Sequence, residues 1–220
     1  YHTAEAAYLQ ALQYQREHNL RGAEAFFKRA ISMRPEWSAP YSGLAWLLGV
    51  HTLGRAEEAK EPVRRAIELD PTDSRPHIAL AVLLRFEGRY EEAEASALEA
   101  LRLDPESVPS HNNYANLLVR RKEYGKAEEH YLRAIAIDPE SVKPYYNLAC
   151  LYTLTGRNSL ALEYLAKAVE LDPIYRAQGL ADPDLGALRD TPEFDQIVYR
   201  RSAGTAQPVP EESDSRAVRD

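Results

Sequence analysis

Residues 127–139 read AEEHYLRAIAIDP, and the skeleton of that stretch recurs along the chain. It returns as ALEYLAKAVELDP from Ala161 to Pro173, and again from Ala93 to Pro105, Ala59 to Pro71 and Ala23 to Pro35. Each copy opens on Ala, carries Ala again seven residues on, continues with alternating large aliphatics, and ends on Pro five residues after the second Ala. The terminal prolines are spaced 36, 34, 34 and 34 residues apart. A second series, Ala11, Ala45, Ala81, Ala115 and Ala149, is spaced 34, 36, 34 and 34. The two extra residues therefore lie between Ala45 and Ala59, and the shared register of Gly54, Gly88 and Gly156 places them in a turn around Gly49 to Gly54. A period of this size means one supersecondary unit stacked on copies of itself.

Within a unit the apolar spacing is helical. Ala7, Ala11 and Tyr14 share one face of a helix over Ala4 to Arg16, at three- and four-residue steps. His18 to Arg21 reads as a turn and Gly22 to Met33 as a second helix, which Pro35 ends because proline disfavours helix at the residue before it. Pro40, Pro76 and Pro144 open the next first helices near their first position, and Pro109 sits one residue earlier. No stretch alternates with period two for long enough to make a strand. Pro62 lies inside the second helix of repeat two and predicts a kink or a late helix start. Leu101, Leu103, Ile135, Ile137, Val169 and Leu171 are expected to form a shared core, together with Tyr90, Tyr124, Tyr131 and Tyr152.

Helix pairs at this period, with a small residue in the first helix, Gly at the turn and the Ala, bulky residue, Ala, Pro series in the second, resemble tetratricopeptide (TPR) repeats. Repeat three supplies Ala81, Gly88, Tyr90, Ala93, Ala100 and Pro105. Repeat four supplies Ala115, Tyr124, Ala127, Tyr131, Ala134 and Pro139, with Lys122 in the Gly slot. Repeat five supplies Ala149, Gly156, Ala161, Leu165, Ala168 and Pro173. Repeat one departs by carrying His18 in the Gly slot, and Asn158 replaces the aromatic after the turn of repeat five. The resemblance implies an all-α, right-handed α-solenoid of five helix pairs, at about 4–37, 38–73, 74–107, 108–141 and 142–175. Residues 176–201 are similar to the capping segment of bacterial arrays. There Asp182 and Pro183 start one short helix and Thr191 and Pro192 another, with Phe194, Ile197 and Val198 covering the last repeat and Arg200 and Arg201 near the negative helix end. Residues 202–220 are rich in Pro, Ser and charge, and are expected to be a disordered tail.

Composition narrows the function classes. A net charge of -7 and a pI near 5.5 argue against binding a phosphate backbone. Cys150 is the sole cysteine, so no disulfide can form within the chain. With no signal-like segment and no apolar run of membrane-spanning length, the expected location is cytoplasmic, without direct membrane insertion. No phosphate loop, nucleophile elbow or metal-spaced His/Cys set is present, so neither catalysis nor a cofactor or metal is expected. His77 and His111 share a repeat slot and are read as packing or rim residues. The carboxylates of the second helices, such as Glu91, Glu92, Glu94, Glu128 and Glu129, are read as a solvated face.

What remains is recognition. In the family the first helices line the concave side, and the resemblance implies an extended peptide there, held by an adaptor or scaffold. The inward slots include Ser42, Gly43 and Trp46 in repeat two, and Arg75, Ile78, Val82, Arg85 and Phe86 in repeat three. Repeat four contributes Asn112, Asn113, Asn116 and Arg120, and repeat five Lys143, Tyr146, Asn147 and Cys150. Asn carries a donor and an acceptor together, so it can pair with a peptide backbone whatever its sequence. Counting Arg16, Arg75, Arg85, Arg120 and Lys143 against Glu5 gives a basic inward strip and an acidic or neutral ligand, with Trp46, Phe86 and Tyr146 as aromatic anchors. The two-carboxylate clamp of chaperone-binding TPR proteins is matched only by Asn113 and Lys143. Ile78, Val82 and Asn147 miss it, so a heat-shock chaperone tail is not the expected ligand. Two other roles fit the same repeats: a C-terminal sensor or recruitment domain of a larger bacterial signalling protein or enzyme, and a scaffold that self-assembles as a homo-oligomer.

Overall fold

The computed structural model describes residues 3–51 and 55–199; the expected tail, the Arg200 and Arg201 dipole contacts, and Gly54 lie outside them. Every regular element among the described residues is helical. The first pair is α1 (Ala4–Arg16) and α2 (Leu20–Met33), and the second is α3 (Ser38–Trp46) and α4 (Ala56–Leu69). Then follow α5 (Ser74–Phe86) and α6 (Tyr90–Leu103), α7 (Val108–Arg120) and α8 (Tyr124–Ile137), and α9 (Val142–Leu154) and α10 (Asn158–Leu171). The chain closes with α11 (Tyr175–Ala181), a 3₁₀ turn over Pro183–Leu188, and α12 (Pro192–Tyr199). Each helix packs on its pair-mate and on the next pair, giving a helical solenoid.

Local chemistry explains most boundaries. Pro40, Pro76 and Pro144 stand at the third helical position rather than the first, where the backbone N–H still has no intrahelical partner. α2 starts earlier than expected because Asn19 caps it, its Oδ1 accepting the Gly22 N–H at 3.0 Å. At the far end of the second helices, Asp70, Asp104, Asp138 and Asp172 each accept the backbone N–H two residues on, at 3.0 to 3.2 Å. The Asp-Pro pair thus stops the helix and ties the turn, a role the proline series alone did not reveal. α4 runs through Pro62 without a late start. No turn forms at Gly49: α3 continues as a π-helical turn over Leu47–His51, whose wider winding takes up extra residues.

The alanine slots are the places of closest approach. Ala11, Ala23, Ala45, Ala59, Ala66, Ala93, Ala115, Ala127, Ala149 and Ala161 are fully buried, so helices meet nearly backbone to backbone there. Larger groups such as Phe27, Leu83, Leu118, Tyr131, Leu148 and Leu165 fill the space between units. Leu101, Leu103, Ile135, Ile137 and Leu171 are only half-buried.

Charge also binds one repeat to the next. The residue after the first Ala of the repeated skeleton, Ala23, Ala59, Ala93 or Ala127, is Glu24, Lys60, Glu94 or Glu128, and each reaches the turn of the following repeat. Glu24 Oε2 meets Arg55 at 2.6 Å, Lys60 Nζ meets Glu87 at 2.7 Å, Glu94 pairs with Arg121, and Glu128 Oε2 meets Arg157 at 2.8 Å. Tyr114 and Tyr152 donate their hydroxyls to Glu94 and Glu128, each at 2.9 Å. Hydrogen bonds from Arg55 hold the Glu24 carboxyl at a pKa of about 2. Glu91, Glu92 and Glu129 are solvated as expected, but Glu94 and Glu128 are not: they staple adjacent repeats. In repeat five the slot holds Leu162, which packs on the core at the array's end.

Two turns store strain. His18 (φ 57°) and Lys122 (φ 62°) occupy the left-handed conformation that Gly88 and Gly156 adopt in the same slot. Lys122 is exposed and has no ion-pair partner among the described residues, so Lys122→Gly loses little contact. Relief of a left-handed Cβ, less the added freedom of the unfolded chain, should raise stability by about 0.5–1 kcal/mol. An unchanged urea midpoint would show that this turn carries no strain.

Candidate functional site

The first helices α1, α3, α5, α7 and α9 line one side of the stack, and two adjoining cavities open along it. The first, of about 290 Å³, is bounded by Trp46 of α3, Val82, Arg85 and Phe86 of α5, residues 108–116 of α7, and residues 141–147 before and on α9. Tyr175 and Gln178 of α11 close its end. Nine of the eleven residues expected from the sequence meet there: Trp46, Arg85, Phe86, Asn112, Asn113, Asn116, Lys143, Tyr146 and Asn147. Arg75 lines the second cavity, and Arg120 sits on neither wall.

The asparagines are partly committed to one another. Asn147 Nδ2 donates to Asn112 Oδ1 at 2.8 Å, bridging repeats five and four. Asn113 Nδ2 donates to the Pro109 carbonyl at 2.8 Å, which leaves its Oδ1 as an open acceptor. Asn116 Oδ1 accepts the Tyr131 hydroxyl at 2.6 Å, which leaves its amide nitrogen as an open donor. Asn147 Oδ1 and Asn112 Nδ2 likewise have no hydrogen-bond partner among the described residues, although Asn112 is buried. Four of the eight amide polar atoms are spent on orienting these side chains, and the other four remain for a ligand.

The basic strip divides in two. Arg75 binds Asp73 through Nε at 2.9 Å and Nη2 at 2.7 Å, and Ser42 donates to the same carboxylate at 2.7 Å. Its charge is therefore cancelled in place. Glu5 is likewise paired with Arg34. Arg16 ends α1 on the exposed surface. Arg85, Arg120 and Lys143 have no carboxylate partner among the described residues. Arg85 is half-buried over the Phe86 ring, 4.4 Å from its centroid. Burial and the like charge of Arg120 push its pKa below the usual arginine value.

The aromatic anchors also differ from expectation. Phe86 is 53% exposed and Trp46 is half-buried, so both present ring surface. Tyr146 is only 4% exposed. Its hydroxyl donates to Asp182 Oδ2 at 2.7 Å, and its ring lies 4.9 Å from that of Tyr175. Asp182 also lies 3.8 Å from Cys150 Sγ, and burial pushes that thiol up. The helix cap read at Asp182 thus does a second job, sealing the groove at repeat five. Two contacts 36 and 32 residues apart gave no sequence signal for this.

His111 packs as expected, its Nε2 3.0 Å from the Pro105 carbonyl and its Nδ1 2.9 Å from His130 Nδ1. Among the described residues no group of three or more His, Cys, Asp or Glu is placed to hold a metal ion. No helix among them is long and apolar enough to cross a membrane.

Profiles of the tetratricopeptide repeat match residues 43–73, 78–142 and 130–163. No curated protein sequence matches the chain. Among solved structures, a thermophilic TPR protein of Thermus thermophilus aligns with a TM-score of 0.73 at 22% identity, over 81% of this chain and 98% of its own. A chain of the APC/C hetero-tetramer aligns at 0.70 and 14%, over 90% of this chain and 42% of its own. PilF of Pseudomonas aeruginosa aligns at 0.59 and 18%, over 90% and 97%. At such identities the likeness speaks to the fold alone.

Proposed function

The chain belongs to the tetratricopeptide repeat family, a family of protein-interaction scaffolds, and we propose that it holds an extended, acidic or neutral peptide segment of a partner protein along its first helices. One observation carries this reading: open amide atoms of Asn113, Asn116 and Asn147 line a cavity that also holds Arg85 and Lys143, cations without carboxylate partners among the described residues. An extended backbone offers alternating N–H and C=O groups, which the open acceptors and donors can meet. The basic groups steer and select an acidic partner, while Trp46 and Phe86 contribute apolar contact. No catalytic role is assigned to these residues.

The test is selection of a random-peptide display library on the intact protein, followed by titration of a selected peptide. The joint change Arg85→Ala, Arg120→Ala, Lys143→Ala is expected to weaken binding about 10- to 100-fold at low salt and to flatten its salt dependence. Asn113→Ala with Asn147→Ala should weaken it with the salt slope kept. If both variants bind like the parent, the partner uses another face.

A further inference from the structure

A second cavity, of about 570 Å³, continues the first toward the N-terminal half. Trp46, Val108 and Pro109 belong to both walls, so the two spaces adjoin. We infer that the groove reads a two-part motif, with one bulky apolar side chain seated in this second cavity and a carboxylate held by Arg85 and Lys143 in the first. The inference rests on the peptide-groove reading and names the chemistry of its ligand.

Repeat register supports the division. The slot of Asn112 holds Ile78 one repeat earlier. The slot of Asn116 holds Val82 one repeat earlier and Trp46 two repeats earlier. The groove therefore changes from apolar to amide-lined between repeats three and four. The charges follow the same line. Around the second cavity every charged side chain is already engaged: Arg75 by Asp73, Glu106 by Arg133, and Asp104 by the Glu106 N–H. A cavity whose lining cation Arg75 is already paired and whose Asp104 carboxylate has only a backbone N–H offers an acidic ligand group nothing, and Leu12, Trp46, Ile78 and Val108 offer an apolar one a surface. At the other end Arg85 and Lys143 face the first cavity with no such partner among the described residues. A carboxylate there supplies what Asp73 supplies to Arg75.

Neighbouring helix axes lie about 8–10 Å apart and an extended residue spans about 3.3 Å, so the two ligand groups should stand roughly three to six residues apart. The experiment measures binding of the full chain to synthetic peptides carrying one Phe and one Asp-Glu pair on a Gly/Ser background, in both orders and at every separation from about one to eight residues. One order should dominate with an optimum inside the stated window, and replacing its Phe by Gly should weaken binding about 10-fold or more. Gln15→Trp, which places an indole in the second cavity from α1, should weaken the Phe preference and leave the acidic one. Arg85→Gln should do the reverse. Additive preferences with no optimum separation, or a Phe preference unchanged by Gln15→Trp, would overturn the two-part reading while the groove stands. Binding that ignores Gln15→Trp, Arg85→Gln and the paired Asn113→Ala, Asn147→Ala change alike would remove the groove as well.

Discussion

Deleting the chain from Asp182 onward is expected to lower the apparent melting temperature by about 10 °C or more and to drive the protein into larger species. Leu185, Leu188, Phe194 and Val198 are each at most 5% exposed, although they belong to short elements with little helical stability of their own. They cover Leu165, Val169 and Gly179, the last apolar surface of the array. Burying a side chain of this kind is worth about 1.5–3 kcal/mol, so four of them outweigh every single-residue change considered above. In a solenoid each unit contacts only its neighbours, so the loss should concentrate in α9 and α10 instead of spreading evenly. Amide exchange should show protection falling there first, with α1 to α4 little changed. Phe194→Ala is a milder version, expected to cost about 3–5 kcal/mol without removing the backbone. A truncated protein that stays at its original size in light scattering and melts unchanged would mean that these residues do not cap the array.

The same segment shows which features were legible in the sequence. Thr191 and Pro192 announce a helix start, and Phe194 and Val198 fall on one face of it, so a covering helix could be read from local spacing. The phased alanines announced helix pairs for the same reason: a slot that must be small in every copy repeats visibly. Contacts that join different repeats through different slots do not repeat, and so left no trace. Tyr146 reaches Asp182 and Asn147 reaches Asn112, each across an interface that the period does not encode. The residues lining the groove were therefore largely readable from register, while their commitments were not. Arg75 and Tyr146 look like Arg85 and Phe86 in the sequence, yet the first is neutralised and the second is buried. The π-helical turn after α3 escaped for another reason, because a local insertion can be absorbed by winding as well as by a loop.

Gly43→Ala is expected to destabilise the protein by about 2 kcal/mol, and Gly43→Val by about 3 kcal/mol or more, against the usual gain of about 1 kcal/mol for replacing a helical glycine. Gly43 stands inside α3, where a residue with a side chain would ordinarily be better. A Cβ there would lie 2.6 Å from Cζ of Phe27, a fully buried ring packed between α1 and α3. The ring is fully buried, with the Tyr8 ring centroid 5.9 Å from its own, so it can retreat only by displacing its neighbours. α3 must therefore move, and it carries Ser42 and Trp46 on the wall of the apolar cavity. The cause can be isolated with a double-mutant cycle. In a Phe27→Leu background the ring atoms that Cβ would meet are gone, so Gly43→Ala should change sign and stabilise by up to about 1 kcal/mol. Urea denaturation of the four proteins measures both the penalty and the reversal. Equal effects of Gly43→Ala in the two backgrounds would show that the glycine is kept for some reason other than Phe27. With the reversal, the loss of peptide binding in Gly43→Ala, and its return when Phe27→Leu is added, would tie the shape of the apolar cavity to one ring behind it.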